Sequence, residues 1–214
     1  MAIPGAMAQA AQSPEGFGVE ATGLFNVDPT PLATAANPSP ASVASAGITG
    51  FFTVNAISAQ VSGNTTTASI AGVTALGGSP ISVSAGAISS SCSVSSSGAF
   101  TESSSIGNLT VPGLTIPANP APNTTLTIPL VGSVTLNEQG AGPTGGSATV
   151  TAVHFHYLTG EDVYIASSTC GPYIAAAAMA SGAGLAVGLG GIGVLGVTGV
   201  AVTWRRRRQQ SASA

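Results

Sequence analysis

The chain has 214 residues, 5% of them charged and 44% hydrophobic, with a formal net charge of −3. Its four cations are consecutive, Arg205, Arg206, Arg207 and Arg208, and Lys is absent, so residues 1–172 stand at −7: seven acids (Glu15, Glu20, Asp28, Glu102, Glu138, Glu161, Asp162) against no strong cation. Such a segment lacks basic surface for nucleic acid or anionic headgroups and has no clamp for phosphate or carboxylate substrates.

Residues 1–10 read MAIPGAMAQA. They have no charged n-region and no apolar h-region, yet Ala6-Met7-Ala8 and Ala8-Gln9-Ala10 have the form of a signal-peptidase site. Residues 1–15 therefore read as the residual end of a signal peptide, or else as a flexible N-terminus. An exported β-rich domain over 16–172 follows.

In that domain Ser, Thr, Val, Ala and Gly dominate, in period-2 runs separated by Gly, Pro and Asn. The pattern predicts strands near 18–27, 49–61, 66–73, 81–94, 126–136, 148–158 and 162–168. Short strands at regular spacing with turn signals predict an all-β domain, an antiparallel sandwich or barrel-like fold. A parallel β-solenoid ranks second, because no fixed repeat is present. Residues 29–40 read as a loop or a crossing between sheets. Five prolines in 111–129 (Pro112, Pro117, Pro120, Pro122, Pro129) assign most of that stretch to edge or loop.

Cys92 and Cys170 both fall in the exported part. An even count in an oxidising compartment suggests one disulfide, two free buried thiols being the alternative. His154 and His156 are the only histidines. Their i,i+2 spacing puts both on one face of a strand, with Glu161 or Asp162 as a conceivable third metal ligand across Thr159-Gly160. That spacing lacks the specificity of a helical H-E-x-x-H, and no metal or other cofactor is assigned. No G-x-S-x-G elbow occurs, and adjacent Glu161 and Asp162 point to opposite faces of a strand, which suits paired-carboxylate chemistry poorly. Catalysis is therefore not expected. Asn64, Asn108 and Asn123 open sequons, which favour exposed loops at most.

From Leu185 to Trp204 no side chain is ionisable. Twenty helical residues span about 30 Å, the thickness of a bilayer's hydrocarbon core. Residues 173–204 therefore read as a transmembrane helix. Trp204 is its interfacial aromatic, and Arg205–Arg208 open a cytoplasmic basic tail over 205–214. The expected location is the plasma membrane, single-pass, with the domain outside. Gly182, Ala186, Gly190 and Gly193 share one helical face and could support weak self-association. Gly188–Gly193 matches G-x-G-x-x-G, but it follows no strand and no acid lies beyond Asp162, so a dinucleotide site is rejected.

Four blocks carry a resemblance: Pro122–Pro129, Val134–Gln139, Val150–His154 and Ala166–Cys170. Together they resemble the actinobacterial choice-of-anchor P surface proteins, whose outer domain has similar PNTT, TLNEQ and NALHV blocks and a late Cys. The resemblance spans residues 16–170 and is strongest over Thr135–Gln139; Thr151 stands where that pattern has Asn. It implies one outer domain joined to variable anchors and a structural role for Cys92 and Cys170, and it carries no activity. No Leu-Pro-x-Thr-Gly motif precedes the apolar run, so sortase attachment is not expected. The reading is a membrane-anchored protein for display, adhesion or envelope structure, with the bilayer and cell-wall or envelope components as partners. The alternative is a tethered or released carbohydrate-binding module or secreted hydrolase.

Overall fold

The computed structural model describes residues 13–48, 51–75, 83–111, 113–117, 119–141 and 146–175. Thirteen strands follow in order: β1 Glu15–Thr22, β2 Val27–Thr34, β3 Ala41–Ile48, β4 Phe52–Ser62, β5 Thr65–Ile70, β6 Gly72–Ala75, β7 Val83–Ala85, β8 Ile88–Val94, β9 Phe100–Ile106, β10 Thr124–Ile128, β11 Gly132–Ala141, β12 Ala148–Tyr157 and β13 Asp162–Cys170.

One sheet runs β10-β11-β12-β13-β1-β2, so the first strand sits beside the last. In the second sheet β4 holds β3 along one edge and β5 and β6 along the other. β5 and β6 keep one register against β4 on either side of Ala71, and β8 and β7 continue it. β9 closes that sheet. The sheets pack face to face with their strands in matching order. β2 covers β3 and β4, β1 covers β4 and β5, β13 covers β5 and β8, and β12 covers β8 and β9. All pairings are antiparallel, which removes the parallel solenoid for the described residues.

The inward side chains of the central strands change parity partway along. In β4, Phe52 and Val54 face the core, then Ile57, Ala59 and Val61; in β12, Ala148, Val150 and Ala152, then Val153, Phe155 and Tyr157. The break is aligned from strand to strand. By register, Asn137, Ala152, Ala166 and Gly18 form one row across the first sheet, and Ala56, Ala71 and Ala87 another across the second. Ala56, Asn137 and Ala166 have φ of 47°, 49° and 52°. A left-handed residue rotates the strand by one side-chain position, as a bulge does, yet here the partner count stays intact. Small residues suit this seam because a Cβ is strained in that region.

Away from the bridge, the core beyond the seam is built of Phe52, Val54, Leu136, Phe155 and their neighbours, while Ile57 and Ile88 border the seam on the bridge side. Farther toward the bridge small side chains meet across the sheets: Ser90 bonds Ser168 at 2.7 Å, and Cys92 is joined to Cys170. Phe100 packs on that bridge. The turn after β1, the turn after β12, the turn after β10 and Phe51 gather at the end away from the bridge, where Phe51 lies 6.0 Å from Phe25 and 4.7 Å from Tyr157.

Four expectations are corrected. Residues 18–27 run through a turn at Gly23 instead of forming one strand. Residues 27–34 are β2, not loop; Pro29 and Pro31 are tolerated because β2 is a sheet edge. Residues 126–136 are a hairpin broken at Pro129-Leu130-Val131. β3 and β9, rich in Ala and Ser, were not predicted at all, since those residues carry little strand signal. Residues 173–175, the predicted start of the transmembrane helix, are not helical, and Ile174 is instead held by Asn64. The rest of that helix, Trp204, Arg205–Arg208 and the face of Gly182, Ala186, Gly190 and Gly193 lie outside the described residues. Among the described residues no helix is long and apolar enough to cross a membrane.

Candidate functional site

Four adjacent strands bring their polar side chains together on the outer face of the first sheet. β12 contributes His154 and His156, which point outward between the buried Val153, Phe155 and Tyr157. β13 contributes Asp162 and Tyr164, β11 contributes Glu138, and β1 contributes Glu20, the register partner of Tyr164. His154 Nδ1 lies 2.8 Å from Glu138 Oε2, and its Nε2 lies 3.0 Å from Asp162 Oδ1. The same Asp162 oxygen is 2.7 Å from His156 Nδ1. Tyr164 stacks on the His154 ring with centroids 4.2 Å apart and planes at 21°.

A neutral imidazole has one N–H to donate, whereas His154 faces a carboxylate oxygen at each nitrogen; the imidazolium satisfies both. Burial pulls the His154 pKa down, but Glu138 and Asp162 outweigh it and hold the ring above its ordinary 6.5. Burial pushes Asp162 up, and the two histidines more than reverse this, leaving it below 3.8. Tyr164 is raised by burial and by Asp162, Glu138 and Glu20. Glu20 is itself raised by burial and by Glu15 and Asp28. The site is a proton-holding cross-link over β11, β12 and β13 within an acidic face. General-base work needs a ring nitrogen free to take the substrate's proton; both nitrogens of His154 are engaged, and His156 keeps only Nε2.

Of the two predicted partners for the histidines, only Asp162 joins them. Glu161 is fully buried and turned the other way, accepting from the amides of Leu24 at 3.2 Å and Phe25 at 2.8 Å. Among the described residues no group of three or more His, Cys, Asp or Glu has a geometry that could hold a metal ion. Glu138, Tyr164 and Glu20 escaped sequence reading because strand register alone brings them to β12 and β13. Two sequon asparagines have structural duties. Asn64 donates to Ile174 O at 2.8 Å and accepts from Ile174 N at 2.7 Å, while Asn123 Oδ1 accepts from Gln139 N at 2.8 Å.

The disulfide expected from the cysteine count is present between Cys92 on β8 and Cys170 at the end of β13, with Cα atoms 5.5 Å apart. Compared with protein-family models, curated proteins and solved structures, the chain matches none of them.

Proposed function

We propose that this chain is a surface-display protein of the choice-of-anchor P type. Its β domain stands outside the plasma membrane, an apolar helix beginning after residue 175 holds it, and Arg205–Arg208 stay inside. It acts in adhesion or envelope structure and has no catalytic role. The observation that carries this reading is the Cys92–Cys170 bridge, because disulfides persist in exported proteins. The bridge closes β13 four residues before Ile174, where the apolar run begins. The carbohydrate-binding alternative has less support. Phe17, Phe52, Phe155 and Tyr157 are buried, and Tyr164, Phe25 and Tyr173 lie on different parts of the surface.

Thiol mapping on intact cells tests the topology. A membrane-impermeant maleimide is expected to label a Ser97→Cys variant directly and a Ser211→Cys variant only after lysis. Equal labelling of both before lysis would sink the proposed orientation. Mass spectrometry of the mature protein is expected to find a C-terminus beyond Arg208. A C-terminus upstream of Leu185 would make the apolar run a processing signal.

A further inference from the structure

The end of the domain opposite the disulfide presents a row of apolar side chains to solvent. Leu24 is 71% exposed, Phe25 49%, Leu130 91% and Leu158 73%. They belong to the turns after β1, β10 and β12, successive hairpins along one rim of the first sheet. Neighbouring strands lie about 4.8 Å apart, so successive turns stand roughly 10 Å from one another.

The row is built. Leu158 N donates to Val131 O at 2.8 Å, which ties the β12 turn to the β10 turn. Gly23, at φ +124°, lies so close to Gly160 that a Cβ there would sit 2.7 Å from the Gly160 oxygen. Glu161 holds the Leu24 and Phe25 amides from beneath, and Phe25 leans on Phe51. Leu130 has φ of 65°, a region where Gly or Asn would sit without strain. Neither packing nor backbone preference accounts for a leucine there, and such outliers gather at functional sites.

We propose that this rim is a lipid-contacting edge that inserts its leucines and Phe25 into an uncharged or zwitterionic lipid surface. The charge pattern rules out anionic headgroups as the attraction. No Lys or Arg occurs before Arg205, the nearest acid, Glu161, is fully buried, and Asp162 is engaged by both histidines. Shape and size argue against a protein partner or a second copy. At 1.5–3 kcal/mol per buried side chain and 25 cal/mol per Å², four side chains correspond to roughly 240–480 Å² of apolar contact. A stable protein interface needs about 800 Å² per partner. Separate convex prongs need a matching pocket in a protein, while hydrocarbon conforms to each of them. Cys170 and the described residues after it, 171–175, lie toward the opposite end of the domain from the rim. This inference goes beyond the display reading and stands without it.

The test uses the full chain held in nanodiscs, with an environment-sensitive fluorophore on Leu158→Cys and, at the disulfide end, on Ser97→Cys. Protein-free phosphatidylcholine vesicles are added. The expected result is a blue shift at position 158 and none at 97. Leu24→Ser or Leu130→Asn should demand about tenfold more lipid for the half-maximal shift, the loss of one buried leucine, with Tm unchanged for the first and not lowered for the second. No shift at 158, or equal shifts at both positions, overturns the proposal. So does a shift that appears without vesicles alongside a dimer in sedimentation, which assigns the rim to a second copy. A response that requires anionic lipid also overturns it. If the chain does not enter nanodiscs, the anchor reading fails, and the two labels compared with the chain in solution still decide this one.

Discussion

Gly18 faces Ile57 across the sandwich so closely that any Cβ there would overlap the isoleucine's Cγ2. Alanine at that position is expected to cost about 1–3 kcal/mol through overpacking. It would appear as a lower urea midpoint at unchanged m-value. Ala56 poses the opposite case, since its methyl is exposed and its φ is 47°. Releasing the left-handed strain should let Ala56→Gly stabilise the fold by roughly 0.5–1 kcal/mol in the same measurement. Glu161 takes two backbone amides in a buried setting, so Glu161→Ala leaves both without their partner. The expected cost is about 1–3 kcal/mol, with faster amide exchange at Leu24 and Phe25 as its local signature.

At the level of elements, the imidazolium of His154 joins β11 to β13 through β12. Its pKa is raised on folding, so its stabilisation is complete below 6.5 and is lost as pH climbs through the folded value. Asp162 is lowered, so its contribution is present above 3.8 and is lost as pH falls through the folded value. Glu20 and Glu102, both raised mainly by burial, add a penalty once they ionise at higher pH. Stability should therefore peak between about pH 4 and 6.5 and decline toward pH 8. Thermal melts across that range would check it, and His154→Gln is expected to remove much of the decline. A flat profile for the unsubstituted protein would contradict the cross-link.

These elements also explain how much the sequence disclosed. The strands around 52–62 and 148–157 were legible because β-branched and aromatic residues recur there, and 88–94 because Ile88, Cys92 and Val94 fall on one face of a period-2 run. The seam then shifts the alternation by one, and a reader following period 2 through Ala152 or Ala166 sees only a featureless buried run. β3 and β9 are serine- and alanine-rich edges whose strand character comes from pairing with β4 and β8. The two histidines were legible as a same-face pair. Their carboxylate partner on β11 sits sixteen residues away from His154 and is joined to it only by register.

For the molecule as a whole, the bridge of separation 78 is the largest single constraint on the unfolded chain. Reduction, or a Cys92→Ala/Cys170→Ala pair, is expected to lower stability by about 4–5 kcal/mol in the chain-entropy account. Denaturant melts with and without reductant would measure it. A loss below about 1 kcal/mol would mean that the packed side chains on the bridge side of the core hold the two sheets together unaided.

The same bridge decides how the domain bears tension. A pull arriving along the chain after residue 175 first meets the paired Asn64 and Ile174, whose two hydrogen bonds yield easily. It then reaches Cys170, where the load divides between β13 in one sheet and β8 in the other through a covalent link. β13 cannot be unzipped from its lower end, since both layers must be sheared at once. If the far rim is held, the whole sandwich is stretched lengthwise between its two ends, the direction in which antiparallel strands resist by sharing force across many backbone bonds.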